Sequence, residues 1–436
     1  MQVTNKNESK LVSMYFCFLR YMKGGEFLLE GIKVIDLTTF VTGGFATLML
    51  GFQGADVIKV EKPDIGDDNR HSGPPFIKIQ NEKGPGITAS ERGESPYFWT
   101  VNYGKRSVEI DLKAKGGVEL LYKLCGQADV FVQNFRPGTA ERIGVGYEDI
   151  KKCKQDIIYC SISAFGDSGP WSSRPGYDLL IQGTSGIMDV TGQEGGEPTK
   201  VGLPQTDLIT GMWAAFGIVC ALRRRERTKE GELIELSMND AALPWLTKQA
   251  AKVFAGEVPT RMGTKDPVLA PYQAYRTQDG YINVACANQK LWTELCDAID
   301  RGDLLEDARF KQNADRVENV NGLEDVLNSV FEKKSTADWI RLLAEERQLP
   351  VGPLLSVEDA IYNEQTKARG IISEIIREGY GSIPVINHPL NYSNARTGFR
   401  GPPPLLGEHT VEILYEMGYT QEDIEMLRLQ GTIPKR

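Results

Sequence analysis

Histidine is scarce in this chain of 436 residues, which contains only His71, His388 and His409. Its seven cysteines are scattered and form no C-x-x-C pair. A structural zinc site or a disulfide framework needs such residues in clusters, so the sequence argues against both. We therefore predict that the protein binds no metal, and the dispersed thiols indicate a reducing, cytoplasmic location.

The chain also lacks a surplus of basic residues. It has 50 lysines and arginines against 59 aspartates and glutamates, which gives a net charge of −9. Proteins that hold nucleic acid through its phosphates normally carry a basic surplus, so we expect no nucleic-acid partner. The apolar run at 11–22 contains Arg20 and is too short to cross a bilayer, so we expect no membrane partner either.

Two glycine-rich phosphate-binding patterns are missing. After the first predicted strand, residues 38–44 read T-T-F-V-T-G-G. This is not the G-x-G-x-x-G pattern whose glycines let the backbone approach a pyrophosphate. Residues 104–107 lack the upstream glycine of a P-loop. The sequence thus disfavours a nicotinamide-dependent or NTP-hydrolysing enzyme.

What the chain does contain is an alternation of short apolar strands and helices that begins near residue 29. Parallel strands need helical crossovers, and strands that are covered on both faces are continuously apolar. The pattern predicts an α/β fold with a large, open, parallel-sheet (Rossmann-like) domain over 29–240. The predicted strands are 32–36, 54–61, 107–112, 129–132, 157–162 and 233–238.

From about residue 265 the pattern changes to that of a smaller α+β domain, which we place at 265–345. It begins with a predicted hairpin over 272–285 and continues with helices over 291–298, 323–331 and 337–345. Residues 346–436 are predicted to form a linker and a C-terminal segment that returns to the large domain. Residues 1–28 do not resemble the rest, and we interpret them as a disordered or leader segment.

A set of short strings occurs in one order along the chain. They are L-E-G-I-K-V-I-D-L at 29–37, G-A-D-V-I-K-V-E at 54–61, G-K-R-S-V-E-I-D-L at 104–112, N-F-R-P-G at 134–138 with E-R-I-G at 141–144, G-P at 169–170 with R-P-G-Y-D at 174–178, D-L-I-T-G at 207–211, A-P-Y-Q-A-Y at 270–275 and L-L-G-E-H-T at 405–410. Each string is weak alone. Together they resemble the family III CoA-transferases, of the formyl-CoA transferase and carnitine CoA-transferase type, over residues 29–430.

The resemblance implies a chemistry. A carboxylate of the enzyme attacks the thioester carbonyl of an acyl-CoA, which gives an acyl-enzyme anhydride and free CoA thiolate. A carboxylic acid acceptor then takes over the CoA. The nucleophile of the family is the aspartate of the D-x-x-x-G string, which is Asp207 here. The resemblance further implies an interlocked homodimer, with coenzyme A thioester as substrate and no permanently bound cofactor.

The residues around Asp207 leave two roles open for its carboxylate. Asp207 opens a strongly apolar helix, a position where a carboxylate commonly caps the free N–H groups. A helix N-terminus also keeps an attacking carboxylate ionised, so one residue can serve both roles. If Asp207 is not the nucleophile, Asp178 is the next candidate.

The family positions that contact CoA carry over to a further set of residues. Several of these are cationic and suit a ligand that carries phosphates, and an aromatic ring among them could pack against adenine or the pantetheine arm. The set consists of Val41, Thr42, Lys62, Ile110, Lys113, Asn134, Phe135, Arg136, Arg142, Pro175, Tyr177 and Asp178.

This chain departs from parts of the family. Val41 stands where formyl-CoA transferases have glutamine, and the glycine-run loop is reduced to 261–263, so oxalate specificity is doubtful. The rival function is that of α-methylacyl-CoA racemases, which use a histidine in a G-H-D string. Here that string reads Gly176-Tyr177-Asp178, which favours transfer. The acids remain open: succinate, oxalate, mesaconate, a carnitine-like acid, or a bile or aryl acid.

Overall fold

The computed structural model of the protein describes residues 25–78 and 93–436. They form two compact units, which we call the large unit and the small unit. Within the described residues, the large unit is built from 25–185, 202–245 and 364–436, and the small unit from 186–201 and 246–363. The chain therefore leaves the large unit twice and returns to it twice.

Eleven strands and eighteen α-helices are formed by the described residues. The strands are β1 Lys33–Leu37, β2 Asp56–Glu61, β3 Arg106–Glu109, β4 Val130–Gln133, β5 Ile158–Ser163, β6 Glu232–Ser237, β7 Tyr272–Arg276, β8 Tyr281–Ala285, β9 Val351–Pro353, β10 Ile372–Arg377 and β11 Gly381–Ile386. The helices are α1 Thr42–Phe52, α2 Pro96–Trp99, α3 Gly117–Cys125, α4 Thr139–Arg142, α5 Tyr147–Cys153, α6 Asp178–Thr184, α7 Ile187–Val190, α8 Gln205–Thr228, α9 Met238–Ala242, α10 Thr247–Phe254, α11 Gln289–Ala298, α12 Asn313–Glu318, α13 Val320–Phe331, α14 Thr336–Ile340, α15 Val357–Tyr362, α16 Glu364–Arg369, α17 Thr410–Glu416 and α18 Gln421–Leu429.

The large unit is organised by a six-stranded sheet in the order β3-β2-β1-β4-β5-β6, with every neighbouring pair parallel. This confirms the prediction of an open, Rossmann-like parallel sheet. The strand order reverses between β1 and β4. In such sheets, ligands bind outside the carboxyl ends of the strands at this reversal, because the connections on its two sides diverge and leave a crevice.

Apolar side chains cover both faces of the sheet, as the continuous apolar runs predict. On one face, Phe131 and Tyr159 pack with residues of α3, α5, α17 and α18. On the other face, α1 packs against β1, β2 and β4, and α8 packs against β5 and β6. Helices α1 and α8 also contact each other along their length, which brings the start of each helix to the same edge of the sheet.

Charged side chains are buried together near the carboxyl ends of β1 and β2. Lys105 Nζ lies 2.9 Å from Asp36 Oδ2, and Lys59 Nζ lies 2.8 Å from Asp67 Oδ2, with all four side chains at most 1% exposed. Burial alone would raise the pKa of the Asp36 carboxyl, but the charges of Lys105 and Lys59 hold that pKa below its ordinary value. Because an unpaired buried charge is strongly destabilising, these groups are stable only as a set.

A second buried ion pair joins β2 to β3. Arg70 donates two hydrogen bonds of 2.7 Å to the two carboxylate oxygens of Glu61, and Ser107 Oγ donates a third of 2.6 Å. Burial would raise the pKa of Glu61, but the Arg70 guanidinium and these hydrogen bonds lower it to about 2. The loop after β2 is thereby fixed to the edge strand β3.

Helix α8 has, among the described helices, the length and apolar composition that a membrane crossing requires, but half of its apolar stretch is buried inside the protein. A core helix has the same properties. The outward face of α8 exposes Met212, Trp213, Phe216 and Val219. These residues recur at helical spacing and form a continuous apolar stripe on the large unit, which we call the α8 stripe.

The small unit is an antiparallel sheet covered by helices, in the strand order β7-β8-β9. Its core contains Trp292, Phe310, Phe331 and Trp339. The hairpin predicted over 272–285 is β7 and β8. The sequence did not predict the antiparallel hairpin of β10 and β11, which belongs to the large unit.

Residues 1–24 of the predicted leader segment lie outside the described residues. Its last residues are described, and Phe27 pairs with Arg396 in an isolated parallel bridge. A Cβ atom added to Gly54 would lie 2.1 Å from the Phe27 Cβ. Phe27 is therefore packed closely against the body of the large unit.

Candidate active site

Helix α8 begins beside Asp178, and this explains how its first N–H groups are satisfied. Asp178 Oδ1 accepts hydrogen bonds from the Thr206 N–H at 2.9 Å and from Thr206 Oγ1 at 2.8 Å. Gln182 Nε2 donates to the other carboxylate oxygen at 2.7 Å. Asp178 thus acts as the capping group of α8 from outside the helix. This leaves the carboxylate of Asp207, in the first turn, free for another role.

Within the described residues, the hydrogen bond that the Asp207 carboxylate accepts comes from Thr42 Oγ1 at the start of α1. Burial raises the pKa of Asp207, the Thr42 hydrogen bond lowers it and the nearby charge of Asp178 raises it, which together give a pKa of about 6. Among the described residues, no lysine or arginine shifts this pKa. The result is a half-buried carboxylate that is ionised at neutral pH.

Gly211 explains why the family string is D-x-x-x-G. It lies one helical turn after Asp207, on the same face of α8. A Cβ at Gly211 would lie 2.8 Å from the Thr42 carbonyl oxygen and 3.0 Å from the Phe45 ring. The glycine therefore lets the start of α1 approach α8 closely enough for Thr42 to reach Asp207.

The turn between β1 and α1 is held across the reversal of strand order. Asn134, at the end of β4, accepts a hydrogen bond of 3.0 Å from the Thr39 N–H and donates one of 2.8 Å to the Thr39 carbonyl. The next residue, Phe40, has a φ of 61°, which is unusual for a residue with a side chain. Its N–H donates to Asp67 at 3.0 Å, and its ring lies 5.8 Å from Tyr177, edge to face.

The predicted CoA contacts fall into two groups. Lys62, Lys113, Arg136, Arg142, Pro175 and Tyr177 are exposed. Lys62 and Arg136 follow β2 and β4, and Lys113 lies in the loop after β3, so all three follow carboxyl ends at one edge of the parallel sheet. The other members are buried or half-buried: Val41, Thr42, Ile110, Asn134, Phe135 and Asp178.

Two of the buried members have structural partners that the sequence did not indicate. The oxygen and the nitrogen of the Asn134 side-chain amide both form hydrogen bonds with the backbone of Thr39. The Phe135 ring packs against the core of the large unit. Phe40 is not in the predicted set, but its ring lies edge to face with that of the predicted Tyr177. The backbone of Phe40 is held by Asp67, 27 residues away, a contact that a local pattern does not indicate.

In the small unit, the segment 261–263 is packed against a second glycine-containing segment, 192–196. The Gly263 N–H donates to the Gly192 carbonyl at 2.9 Å, and Arg261 Nε donates to the Gly196 carbonyl at 2.8 Å. Lys265 forms an ion pair of 2.9 Å with Glu194. Residues 192–196 are thus fixed by side chains of 261–265 rather than forming an independent surface turn.

A model of CoA-transferase family III matches residues 29–410 of this chain. The chain belongs to CoA-transferase family III. It is 37% identical over 407 residues to the succinyl-CoA:glutarate CoA-transferase of Mus musculus, across 93% of this chain and 90% of the mouse protein. It is 38% identical over 345 residues to the acetyl-CoA:oxalate CoA-transferase of Acetobacter aceti, across 79% of this chain and 85% of that protein.

The fold has a solved counterpart. The crystal structure of a CaiB/BaiF family protein from Brucella suis superposes with a TM-score of 0.79 and 36% sequence identity, across 90% of this chain and 100% of that one. The predictions of the family, the fold class and the enzyme class are confirmed. As a family III CoA-transferase, the protein moves CoA between an acyl-CoA and a carboxylic acid.

Gly211→Ala tests the close approach of α1 and α8. The added methyl group overlaps the Thr42 carbonyl, so we expect a loss of stability of about 1–3 kcal/mol. We also expect CoA transfer to fall about 10- to 100-fold, because Thr42 no longer reaches Asp207.

The matched control is Gly217→Ala on the same helix, where an added Cβ meets only the Ile234 side chain at 3.7 Å. That change should keep activity and leave stability unchanged or raised, since alanine favours a helix over glycine. Thermal unfolding and a CoA-transfer assay measure both variants. Equal behaviour of the two variants would contradict the close-approach argument.

Proposed function

We propose that the Asp207 carboxylate is the nucleophile that carries CoA between two acids. The observation that carries this proposal is that the cap of α8 is supplied by Asp178, while Asp207 accepts a side-chain hydrogen bond from Thr42 in a desolvated position. A carboxylate whose pKa is raised by desolvation is costly to keep ionised, and such groups are typical of active sites.

The reaction is a chain of acyl exchanges. An Asp207 oxygen attacks the thioester carbonyl of the donor, the C–S bond breaks, and CoA thiolate leaves with both bonding electrons. The thiolate attacks the side-chain carbonyl of Asp207 in the mixed anhydride, which releases the donor acid and forms an aspartyl-CoA thioester. The acceptor carboxylate and the released thiolate then repeat the two steps in reverse order, which regenerates the carboxylate. No proton or electron is gained or lost, so no bound cofactor is required.

We propose a small dicarboxylic acid as a substrate. Relatives from mammals and from bacteria are named for succinyl-CoA and glutarate, and a Haloarcula hispanica relative, 33% identical over 403 residues, is named for succinyl-CoA and mesaconate. The named acids share two carboxylates separated by a short carbon chain.

The racemase alternative is disfavoured by the place of Tyr177. A racemase needs a base that takes the α-proton, and that base is a histidine where Tyr177 stands. Tyr177 is 59% exposed, and its ring lies against that of Phe40. Tyrosine is in general a poorer base at neutral pH than histidine.

We further propose a cytoplasmic homodimer. The α8 stripe exposes four large apolar residues on one helix, and Leu179, Leu180 and Leu203 of the large unit are also exposed. Contiguous apolar patches on a protein surface mark places that a partner covers. An interlocked dimer would cover long stretches of both chains at once, in agreement with the extended connections that the sequence predicts.

Asp207→Asn distinguishes the nucleophile from a structural residue. Asparagine can still accept the Thr42 hydrogen bond, so we expect a folded variant with CoA transfer reduced by several orders of magnitude. Because burial disfavours the charge of Asp207, the variant should unfold at a higher temperature than the native protein at pH 8.

A trapping experiment reports the covalent step. Native enzyme incubated with succinyl-CoA and then with hydroxylamine should show modification of the peptide that contains Asp207, measured by mass spectrometry. Asp178→Asn should keep that modification. An unmodified peptide in an active enzyme places the nucleophile elsewhere. Rapid exchange of the α-hydrogen of 2-methylacyl-CoA in heavy water, without an acceptor acid, supports the racemase instead.

The rate should depend on pH through Asp207. Its pKa of about 6 means that the nucleophile is protonated at lower pH, so kcat/KM for the donor should fall tenfold per pH unit below about 6 and level off above about 7. Thr42→Val removes a hydrogen bond that lowers this pKa and should shift the midpoint upward. A profile that is flat between pH 5 and 7 would argue against Asp207.

The oligomer is tested by light scattering at micromolar concentration, where we expect twice the chain mass of 48.4 kDa. Phe216→Glu places a charge in the α8 stripe and should lower the unfolding temperature or the yield of dimer, because a charge cannot be buried there unpaired. Leu429→Glu, at a residue that is 75% exposed at the end of α18, is the control and should have no effect. A monomeric native protein contradicts the dimer.

A further inference from the structure

The segment 431–436, which follows α18, runs beside the loops that leave β2 and β3. Ile433 is buried in the core of the large unit. The Thr432 carbonyl accepts a hydrogen bond of 2.9 Å from the Asp111 N–H, and Thr432 Oγ1 donates one of 2.9 Å to the Lys115 carbonyl. The segment therefore holds the loop after β3 at both ends.

Arg436 connects this loop region to the loop after β2. Its Nη2 lies 2.8 Å from both carboxylate oxygens of Glu109, at the end of β3, and its Nη1 pairs with Asp64 Oδ1. Glu109 Oε1 also accepts a hydrogen bond of 2.9 Å from the Asp64 N–H. Asp64 has a φ of 62°, so the loop takes a conformation that these contacts stabilise.

The same two loops carry predicted CoA contacts. Lys62 stands two residues before Asp64, and Lys113 stands four residues after Glu109. Both lysines are exposed. The Asp64 side chain is 74% exposed, whereas that of Glu109 is only 3% exposed. Without the guanidinium, two carboxylates beside these lysines would repel a ligand that carries phosphates.

We propose that Arg436 is a positioning residue for the phosphates of the CoA substrate. It orders the loops of Lys62 and Lys113 and offsets part of the negative charge of Asp64 and Glu109, so that these carboxylates repel an anionic ligand less. The inference rests on the proposed function, since it takes the lysines to be CoA contacts. Arg436 itself touches carboxylates and acts through the lysines.

Arg436→Gln is the primary test. We expect KM for succinyl-CoA and Kd for free CoA to rise about fivefold, with kcat and KM for the acceptor acid changed less than about twofold. The effect should shrink as ionic strength is raised, because screening weakens the repulsion by Asp64. Arg223→Gln removes an exposed arginine that pairs with Glu226 on α8, and as the control it should leave all constants unchanged.

Three further variants test the effect of the charges at Asp64 and Arg436. Asp64→Asn combined with Arg436→Gln should recover most of the CoA affinity, and Asp64→Asn alone should bind CoA at least as tightly as the native protein. Arg436→Lys keeps the charge but loses the forked contact with Glu109, so it should fall between the native protein and Arg436→Gln. If Arg436→Gln does not fold, the CoA affinity of Asp64→Asn alone still tests whether the charge of Asp64 affects CoA binding.

An unchanged Kd for CoA in Arg436→Gln, or no recovery in the double variant, overturns the proposal. Equal losses for CoA and for the acceptor acid overturn it as well, because they indicate a general structural defect. Calorimetric titration with free CoA does not involve the nucleophile. A failure of Asp207 as nucleophile therefore shows in the trapping experiment, whereas a failure of Arg436 shows in the titration.

Discussion

The site depends on how closely helices α1 and α8 approach each other. At Gly211 the space beyond the α-carbon is filled by the Thr42 carbonyl, so a side chain there would separate the helices. The approach brings a hydroxyl from one helix onto a carboxylate of the other, buries the hydroxyl and partly shields the carboxylate from water. Both the close packing of the two helices and the surroundings of the Asp207 carboxylate therefore depend on the absence of a side chain at Gly211.

The sheet beneath the site is rigid for an electrostatic reason. Asp36, Lys59, Asp67 and Lys105 are buried together and neutralise one another across the ends of β1 and β2. Moving one of these strand ends alone would leave a buried charge without its partner, which is more costly than any single hydrogen bond. The loops that follow the strands therefore start from fixed positions, even where the loops themselves are exposed.

The sequence predicted the parallel sheet because its strands are continuously apolar and separated by helix-length segments, a pattern that depends only on local spacing. It predicted Asp207 through a string whose glycine has a direct packing reason. It could not show that Asp178 caps α8, since Asp178 and Thr206 are 28 residues apart and meet only after folding. For the same reason it could not show that Phe135, a predicted ligand contact, is half-buried and packs against the core.

The hairpin of β10 and β11 was missed because its strands expose residues such as Ile376 and Ile386, which blurs the alternation expected of a half-buried strand. The Asp64, Glu109 and Arg436 cluster was missed for another reason. Its members come from three distant parts of the chain, and charges on a surface loop have no characteristic spacing. Local patterns therefore predicted elements well and contacts between elements poorly.

The order of the large unit along the chain has a consequence for synthesis on the ribosome. Residues 407–410 bind the edge strand β3 through backbone and side-chain hydrogen bonds, and Ile433 belongs to the same core as Ile35. The first strand of the sheet is translated some 400 residues before the core residue it needs (433 − 35 = 398). While the small unit is being synthesised, β3 lacks its hydrogen bonds with residues 407–410 and the core lacks Ile433. Domains usually fold as they emerge, but the core of this unit can be completed only after Ile433 has left the ribosome.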